Sequence, residues 1–389
     1  MRILIATSSN YFAYHGQAIF TINLAEGLAR KGNTVMVAAA SDREHPYHEQ
    51  INNVQLENFR AVNLGLFHPD SYLALFPSFF VGKVLDGFHP DIVHIQDHYP
   101  LCRAMLFAAK RRGIKIVGTN HFMPENLAPY MPFASQLKAF YDWVLWHWMR
   151  DTYDRLDLLA GPSLAAVKML KRVGLRPPLS PISCGVNVRL FRFDPDVDKK
   201  KWRVRYGIDP KCKIFFFVGR VDREKRLDVL IRAVHLLHRD DIQFVIAGNG
   251  AEKIDLMKLV KDLGIENKVI FTGFIPNSDL PSLLNSIDIF TMPSEAELLS
   301  IATLQAMACA RPLLVADAVA LPELVTKDSN GFLFTPGDAN HAAKCMIEMV
   351  ENPEKWNTWG MASLERVQSH SLETVVNRYE EFYSKDYPQ

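Results

Sequence analysis

The chain has 389 residues, 48% of them hydrophobic and 22% charged, enough for two domains of ordinary size. Lys and Arg total 44 against 43 for Asp and Glu, so no global charge draws the protein toward nucleic acid, and a nucleic-acid partner is not expected. The five cysteines, Cys102, Cys184, Cys212, Cys309 and Cys345, are scattered and form no CxxC pair. They read as reduced thiols of a cytoplasmic protein, with neither a disulfide framework nor a zinc site. The apolar run at Met1 to Ala6 is too short for a signal peptide, and no stretch reaches the roughly 18 apolar residues of a spanning helix. Any membrane contact is expected to be peripheral, at the inner face.

Ile3 to Thr7 reads as a short buried strand. Ala18, Ile22, Ala25 and Ala29, with Leu24 and Leu28, mark one face of a helix that Gly32 ends, and Val35 to Ala40 begins the next strand. This βαβ opening predicts a parallel sheet whose ligands lie beyond the strand C-termini. Strand-like runs follow at Ile92 to Ile95, Ile116 to Gly118 and Leu158 to Ala160. They end in Gln96-Asp97-His98, Thr119-Asn120-His121 and Gly161-Pro162-Ser163, polar groups expected to converge on one edge. Asp97 with His98 can orient an acceptor hydroxyl or act as a base; the alternative is an ordinary hydrogen-bonded loop pair. His15, in the loop His15-Gly16-Gln17, either faces a ligand or is an exposed loop histidine.

Two segments are rich in aromatic residues. Leu64 to Phe88 holds Phe67, Tyr72, Phe76, Phe79, Phe80 and Phe88; Pro129 to Tyr153 holds Tyr130, Phe133, Phe140, Tyr141, Trp143, Trp146 and Trp148. In the second, Leu137, Phe140, Tyr141, Val144, Leu145, Trp148 and Met149 fit one helical stripe, and Trp143 and Trp146 fall off it. A helix apolar on two sides suits an interfacial helix or a lipid-lined acceptor groove, or one packed on two sides within its domain. Its basic face is weak, Lys138 and Arg150 being offset by Asp142 and Asp151.

A charged, Pro-containing stretch from Arg192 to Lys211 follows Ile182-Ser183-Cys184-Gly185-Val186-Asn187, and then the βα pattern restarts. Strand-like runs recur at Ile214 to Val218, Phe244 to Ala247, Val269 to Thr272, Ile287 to Met292 and Leu313 to Ala316. Two successive α/β halves predict two Rossmann-like domains facing a cleft. The first run ends in Gly219-Arg220-Val221-Asp222-Arg223-Glu224-Lys225. Arg220 and Lys225, five residues apart at a strand end, can place two cations on one diphosphate, or be solvated loop charges. Ala247-Gly248-Asn249-Gly250 is a short glycine turn, weak evidence alone. From Met292 the chain runs through Pro293-Ser294-Glu295-Ala296-Glu297 to Ser300, after which Ile301, Leu304, Met307 and Ala308 recur at helical spacing. Ser300 is the expected N-cap, and the first turn a ready anion site.

Pro-Ser-x-x-Glu, seven residues, then Gln305-Ala306-Met307-Ala308 resembles the donor-site signature of the retaining family-4 glycosyltransferases, or group 1 glycosyltransferases. The family carries Glu where Gln305 stands and glycines where Leu298 and Ser300 stand. The resemblance extends over nearly the whole chain and implies the GT-B fold. The implied domains are an acceptor-binding one over 1–185, a nucleotide-sugar-binding one over 186–365 and a helix over 366–389 crossing back to the first. It further implies that Glu297 faces the donor sugar, Gln305 the ribose, and His121 the sugar's hydroxymethyl group. Arg220 and Lys225 would hold the diphosphate. Gly16, Gly219, Gly250, Ile275, Leu298, Leu299 and Ser300 would line the donor, with Gly273-Phe274-Ile275-Pro276 meeting the base.

The implied activity is hexosyl transfer from a nucleotide-diphosphate sugar with retention of configuration, without a metal or other cofactor. The expected partners are the nucleotide sugar and a lipid acceptor such as diacylglycerol or a glycolipid, His15, Asp97, His98, Trp143 and Trp146 being the acceptor-side candidates. A soluble sugar or metabolite as acceptor, a nucleotide-sugar epimerase and an inactive binding subunit are the alternatives.

Overall fold

The structure, a computed structural model, describes residues 1–13, 15–43, 45–63, 72–123 and 134–385, except for the side chains of residues 134–136 and 138. Leu64, Phe67, Pro129, Tyr130, Phe133, the side chain of Lys138 and the last four residues of the 366–389 segment, named above, lie outside the described residues. The chain divides into two compact units, one of Met1–Gly185 with Leu372–Gln389 and one of Val186–Ser371.

In chain order the first unit holds β1 (Arg2–Ala6), α1 (Gly16–Arg30), β2 (Thr34–Ala40), β3 (Tyr47–Ile51), β4 (Val54–Phe59), β5 (Ala61–Asn63), β6 (Tyr72–Ala74), α2 (Val81–Phe88), β7 (Ile92–Ile95), α3 (Pro100–Lys110), β8 (Lys115–Thr119), α4 (Ala134–Tyr153), β9 (Leu158–Gly161), α5 (Leu164–Arg172) and β10 (Leu179–Pro181). Its main sheet runs β10-β9-β8-β7-β1-β2-β4-β3, parallel except for the antiparallel edge strand β3. Strand order reverses between β1 and β7, so right-handed crossovers put α1 on one face and α2, α3 and α4 on the other. Side chains on β7 alternate accordingly: Val93 and Ile95 join the core that includes Leu101, Met105, Met149 and Tyr153, whereas His94 points to the opposite face. The sequence reading missed the β3–β4 hairpin. Its turn residues Asn52 and Asn53 have φ of 49° and 66°, the left-handed pair that a two-residue hairpin turn requires.

The second unit holds α6 (Lys199–Arg205), β11 (Lys213–Val218), α7 (Leu227–Leu236), β12 (Ile242–Ala247), α8 (Lys253–Asp262), β13 (Val269–Gly273), α9 (Leu280–Ser286), β14 (Ile289–Met292), α10 (Ile301–Ala308), β15 (Leu313–Ala316), β16 (Gly331–Phe334), α11 (Ala339–Glu351) and α12 (Trp356–Val367). Its sheet is parallel throughout, in the order β13-β12-β11-β14-β15-β16. Phe215, Phe216 and Phe217 on central β11 are all fully buried, which explains its unbroken apolar run.

The last helix, α13 (Leu372–Ser384), packs in the first unit against α1. The approach is close enough that a Cβ added at Gly27 would lie 2.4 Å from Cγ2 of Val376, so only glycine fits there. Among the described residues no helix is long and apolar enough to cross a membrane.

Helix α4 corrects one expectation. Its 20 residues extend about 30 Å, whereas a five-residue strand such as β8 extends about 17 Å. Among the described residues only the C-terminal half of α4 has buried apolar residues: Leu145, Met149 and Tyr153. In the N-terminal half Leu137, Phe140 and Val144, which the stripe alone would place in the core, are exposed, as is Trp143. Trp146, which the stripe excluded, is instead packed partly buried against the core.

Candidate active site

In a parallel sheet, the loops that leave the two strands flanking a reversal of order diverge to opposite faces and leave room for a ligand. In the second unit that point lies between β11 and β14, whose following loops carry Arg220, Lys225 and Glu297. The loops are fastened together. The Glu295 amide donates to the Glu224 carbonyl at 3.1 Å and the Ser294 hydroxyl to the same carbonyl at 3.2 Å. Arg226 pairs with Glu295.

Lys225 Nζ donates to Glu297 Oε1 at 2.6 Å, and the two side chains are only 14% and 12% exposed. The sequence reading missed the partners of Arg220. Its Nη1 lies 2.6 Å from Asp222 Oδ2 and its Nη2 donates to Glu224 Oε1 at 3.0 Å. The alternation Arg220-x-Asp222-x-Glu224 was the available signal. Gly250 has a structural reason as well: a Cβ there would lie 2.3 Å from the Val221 carbonyl oxygen and 2.5 Å from Asp222 Oδ1. The β12 turn can therefore press against the loop that carries Arg220 only as glycine.

Ser300 caps α10, its hydroxyl accepting from the Thr303 amide at 3.2 Å and from the Thr303 hydroxyl at 2.8 Å. Leu298 and Leu299 are buried, as is Ile275. Gln305 lies half-buried in the second turn, and its side-chain amide has no hydrogen-bond partner among the described residues. Gly219 ends β11, its amide bonded to the Ala247 carbonyl at 3.0 Å.

In the first unit the order reverses between β1 and β7, and the loops beyond them are tied by Asp97. Its carboxylate accepts from the Ser8 amide at 2.8 Å, the Ser8 hydroxyl at 2.8 Å, Gln17 Nε2 at 2.9 Å and the Tyr99 amide at 3.0 Å. With four donors and almost no exposure, Asp97 anchors the loops. His98 is likewise enclosed, its ring 4.7 to 4.9 Å from the rings of Tyr99, Trp148 and Phe122. Neither of its nitrogens has a partner among the described residues, and burial pushes its pKa down to about 4, so it is a neutral ring within a wall of aromatic side chains.

His121, beyond β8, remains half-buried. Its Nε2 lies 2.8 Å from Gln96 Oε1 and its ring 4.7 Å from that of Phe20. Burial, and then nearby His15, push its pKa down to about 3, so the ring is neutral. His15 occupies the N-cap position of α1, directly ahead of Gly16. Trp143 is 60% exposed.

Most of the chain is similar to known proteins. Residues 14–190 match the model of Glycosyltransferase Family 4, and residues 198–366 that of Glycosyl transferases group 1. The chain is 28% identical over 295 residues, 75% of its length, to the sulfoquinovosyl transferase of Arabidopsis thaliana, and that alignment spans 56% of the relative. It is 25% identical over 387 residues, 99% of its length and 89% of the relative's, to a GDP-mannose-dependent α-mannosyltransferase of Corynebacterium glutamicum. The crystal structure of Anabaena HepE in complex with UDP superposes with a TM-score of 0.78 at 21% identity, over 99% of this chain and 100% of that one. Two family models that between them take in most of the sequence, with two parallel α/β units each carrying candidate residues at its reversal of strand order, identify the chain as a member of the family-4, or group 1, glycosyltransferases with the GT-B fold.

Proposed function

We propose that the protein is a retaining hexosyltransferase that moves a sugar from a nucleotide-diphosphate donor to the hydroxyl of a lipid such as diacylglycerol or a glycolipid. The observation that carries the reading is the Lys225–Glu297 pair at 2.6 Å, which joins the loops beyond β11 and β14 with Arg220 on the first of them. Transfer requires stabilising a departing diphosphate and a sugar ring that turns cationic. Arg220, Lys225 and the N-terminal turn of α10 supply the positive field, in the role that other transferases give to a metal. Glu297, which accepts from Lys225 through Oε1, supplies its carboxylate to a sugar hydroxyl and to the cationic ring once the phosphate takes Lys225. Neutral His121 contacts the hydroxymethyl group. The acceptor attacks from the face the phosphate leaves, and the leaving phosphate takes the acceptor's proton, so no protein nucleophile is assigned.

Calorimetric titration with UDP, GDP and ADP, each beside its common sugars, tests the donor half of the reading. Saturable binding of one nucleotide that disappears in the Arg220→Ala/Lys225→Ala double variant is expected; a wild type that binds none of them refutes it.

The lipid half rests on exposed aromatic residues in the first unit: Phe76, Phe79 and Phe80 ahead of α2, and Phe140 and Trp143 on α4. Large exposed apolar patches mark surfaces that bind something, and such residues suit entry to a bilayer interface. Flotation with neutral and anionic liposomes is expected to carry the protein upward. Protein that stays in the soluble fraction with both would leave a soluble sugar acceptor.

A further inference from the structure

Behind His121 lies a closed chain of hydrogen bonds that reaches the last helix. Gln96, fully buried, has its two amide ends on two different histidines: Oε1 lies 2.8 Å from His121 Nε2, and Nε2 lies 3.4 Å from His94 Nε2. His94, also fully buried, has its Nε2 2.8 Å from the Thr119 hydroxyl and its Nδ1 2.8 Å from the Tyr383 hydroxyl. Thr119 in turn lies 2.9 Å from the Tyr379 hydroxyl. Tyr379 and Tyr383 are both on α13, so this helix is wired to the end of β8 across the sheet.

A neutral imidazole has one donor and one acceptor nitrogen, and a primary amide has a donor end and an acceptor end, so these groups cannot be oriented independently. With the Gln96 carbonyl on His121, Nε2 of His121 must carry a proton. The Gln96 amino group then meets a lone pair on His94 Nε2, which also receives the Thr119 hydroxyl, and His94 Nδ1 carries its proton toward Tyr383. Reversing the amide reverses everything: His94 becomes protonated on Nε2, and His121 on Nδ1. Burial pushes both histidines down to about 3, so neither escapes the choice by taking a second proton near neutral pH.

We infer that His94 and Gln96 are positioning residues that hold His121 protonated on Nε2, leaving its Nδ1 lone pair to accept from a hydroxyl of the donor sugar. The inference rests on the transferase reading for the identity of that sugar, but the tautomer can be observed without any ligand. It also gives α13 a part in the site: Tyr383, 289 residues from His94 in sequence, biases the tautomer of a histidine it does not touch. Coupled tautomers of this kind are set by the partner of the second nitrogen rather than by the ring itself.

The test is a long-range 1H–15N correlation spectrum of the full chain labelled with 15N-histidine, at pH 7.5. His121 is expected as the Nε2–H form and His94 as the Nδ1–H form. Gln96→Met should give His121 a mixture of tautomers, and Gln96→Glu, which keeps an acceptor oxygen, should restore Nε2–H. Tyr383→Phe, a milder change distant from His121, should move His94 toward Nε2–H and His121 with it. In binding, Gln96→Met should leave the affinity for UDP or GDP unchanged and weaken that for UDP-glucose or GDP-mannose, whichever the wild type binds, by about tenfold, as befits one lost hydrogen bond. Wild-type His121 protonated on Nδ1, or a tautomer indifferent to Gln96→Met and Tyr383→Phe, would overturn the relay. A tautomer change without any selective loss of nucleotide-sugar affinity would overturn its role toward the sugar. A wild type with the stated tautomers that binds no nucleotide would instead refute the transferase reading, and with it the assignment of Nδ1.

Discussion

The Lys225–Glu297 pair makes opposite demands on stability and on function, so a double-mutant cycle can separate them. At 2.6 Å and an effective dielectric of 20 the attraction is about 6 kcal/mol, most of it offset by taking two charges out of water. Removing one partner leaves the other enclosed without that compensation. With only 14% and 12% of the side chains exposed, each single change, Lys225→Met or Glu297→Leu, is expected to cost about 2 to 3 kcal/mol, between the surface and fully buried limits. The double variant replaces both charges with apolar groups of similar volume, and should be less destabilised than the sum of the singles by about 2 kcal/mol. Urea unfolding of the four proteins at one pH measures the cycle. Nucleotide binding should not follow stability: Lys225→Met and the double variant lose UDP or GDP, and Glu297→Leu keeps it. Single costs that add to within about 0.5 kcal/mol would refute the claim that the pair is a desolvated unit, and nucleotide binding intact in the double variant would refute the role of Lys225.

Three further outcomes follow from other parts of the molecule. Gln305→Glu offers two acceptors to a ribose instead of one and should tighten nucleotide binding by about 1 kcal/mol, roughly fivefold; unchanged or weaker affinity by calorimetry removes Gln305 from the ribose. His94 and His98 are held by burial at about 3 and about 4, below the unfolded value of roughly 6.5, so the unfolded chain takes up more protons and stability, complete above about pH 6.5, falls as the pH drops. The slope between pH 6 and 4.5 should be about 1.4 kcal/mol per pH unit for each histidine; His98→Leu should remove one such share and, because both ring nitrogens lack partners among the described residues, cost little stability at pH 7, as urea titrations at three pH values would show. Gly27→Ala drives a methyl to 2.4 Å from Val376 Cγ2 and should cost about 1 to 3 kcal/mol, read as a lower melting temperature and faster proteolysis ahead of Leu372; a melting curve like that of the wild type contradicts the packing.

What the sequence discloses and what it withholds divide along physical lines. Central parallel strands are buried on both faces, so Phe215 to Phe217 are readable as a strand without knowledge of any neighbour. A helix cap is local, so Ser300 is readable too. The edge strand Tyr47–Ile51 carries mostly polar residues and lacks that signal, although Asn52-Asn53 marks its turn. Asp97 looks like a base in sequence because its four donors come from Ser8, Gln17 and Tyr99, the first two 89 and 80 residues away. The relay behind His121 is less legible still, since Tyr379 and Tyr383 arrive from the other end of the chain. On α4 the period shows which residues share a stripe, but not how much of that stripe is covered: Leu145 and Met149 are buried, and Leu137, Phe140 and Val144 are exposed.

The two cations assigned to the diphosphate are both paired with carboxylates, but in different ways. Arg220 is held by Asp222 and Glu224 on its own loop. Lys225 is held by Glu297, 72 residues away and beyond another strand. A phosphate that takes Lys225 competes with Glu297 and frees that carboxylate at the moment a sugar hydroxyl needs an acceptor. The competition costs nucleotide affinity in the wild type, and that cost should disappear when the competitor is neutral. Glu297→Gln is therefore expected to bind UDP or GDP a few-fold more tightly than the wild type while transferring sugar far more slowly. Weaker nucleotide binding in this variant would mean that Glu297 presents Lys225 to the phosphate instead of contending for it, and that the pair persists through the reaction.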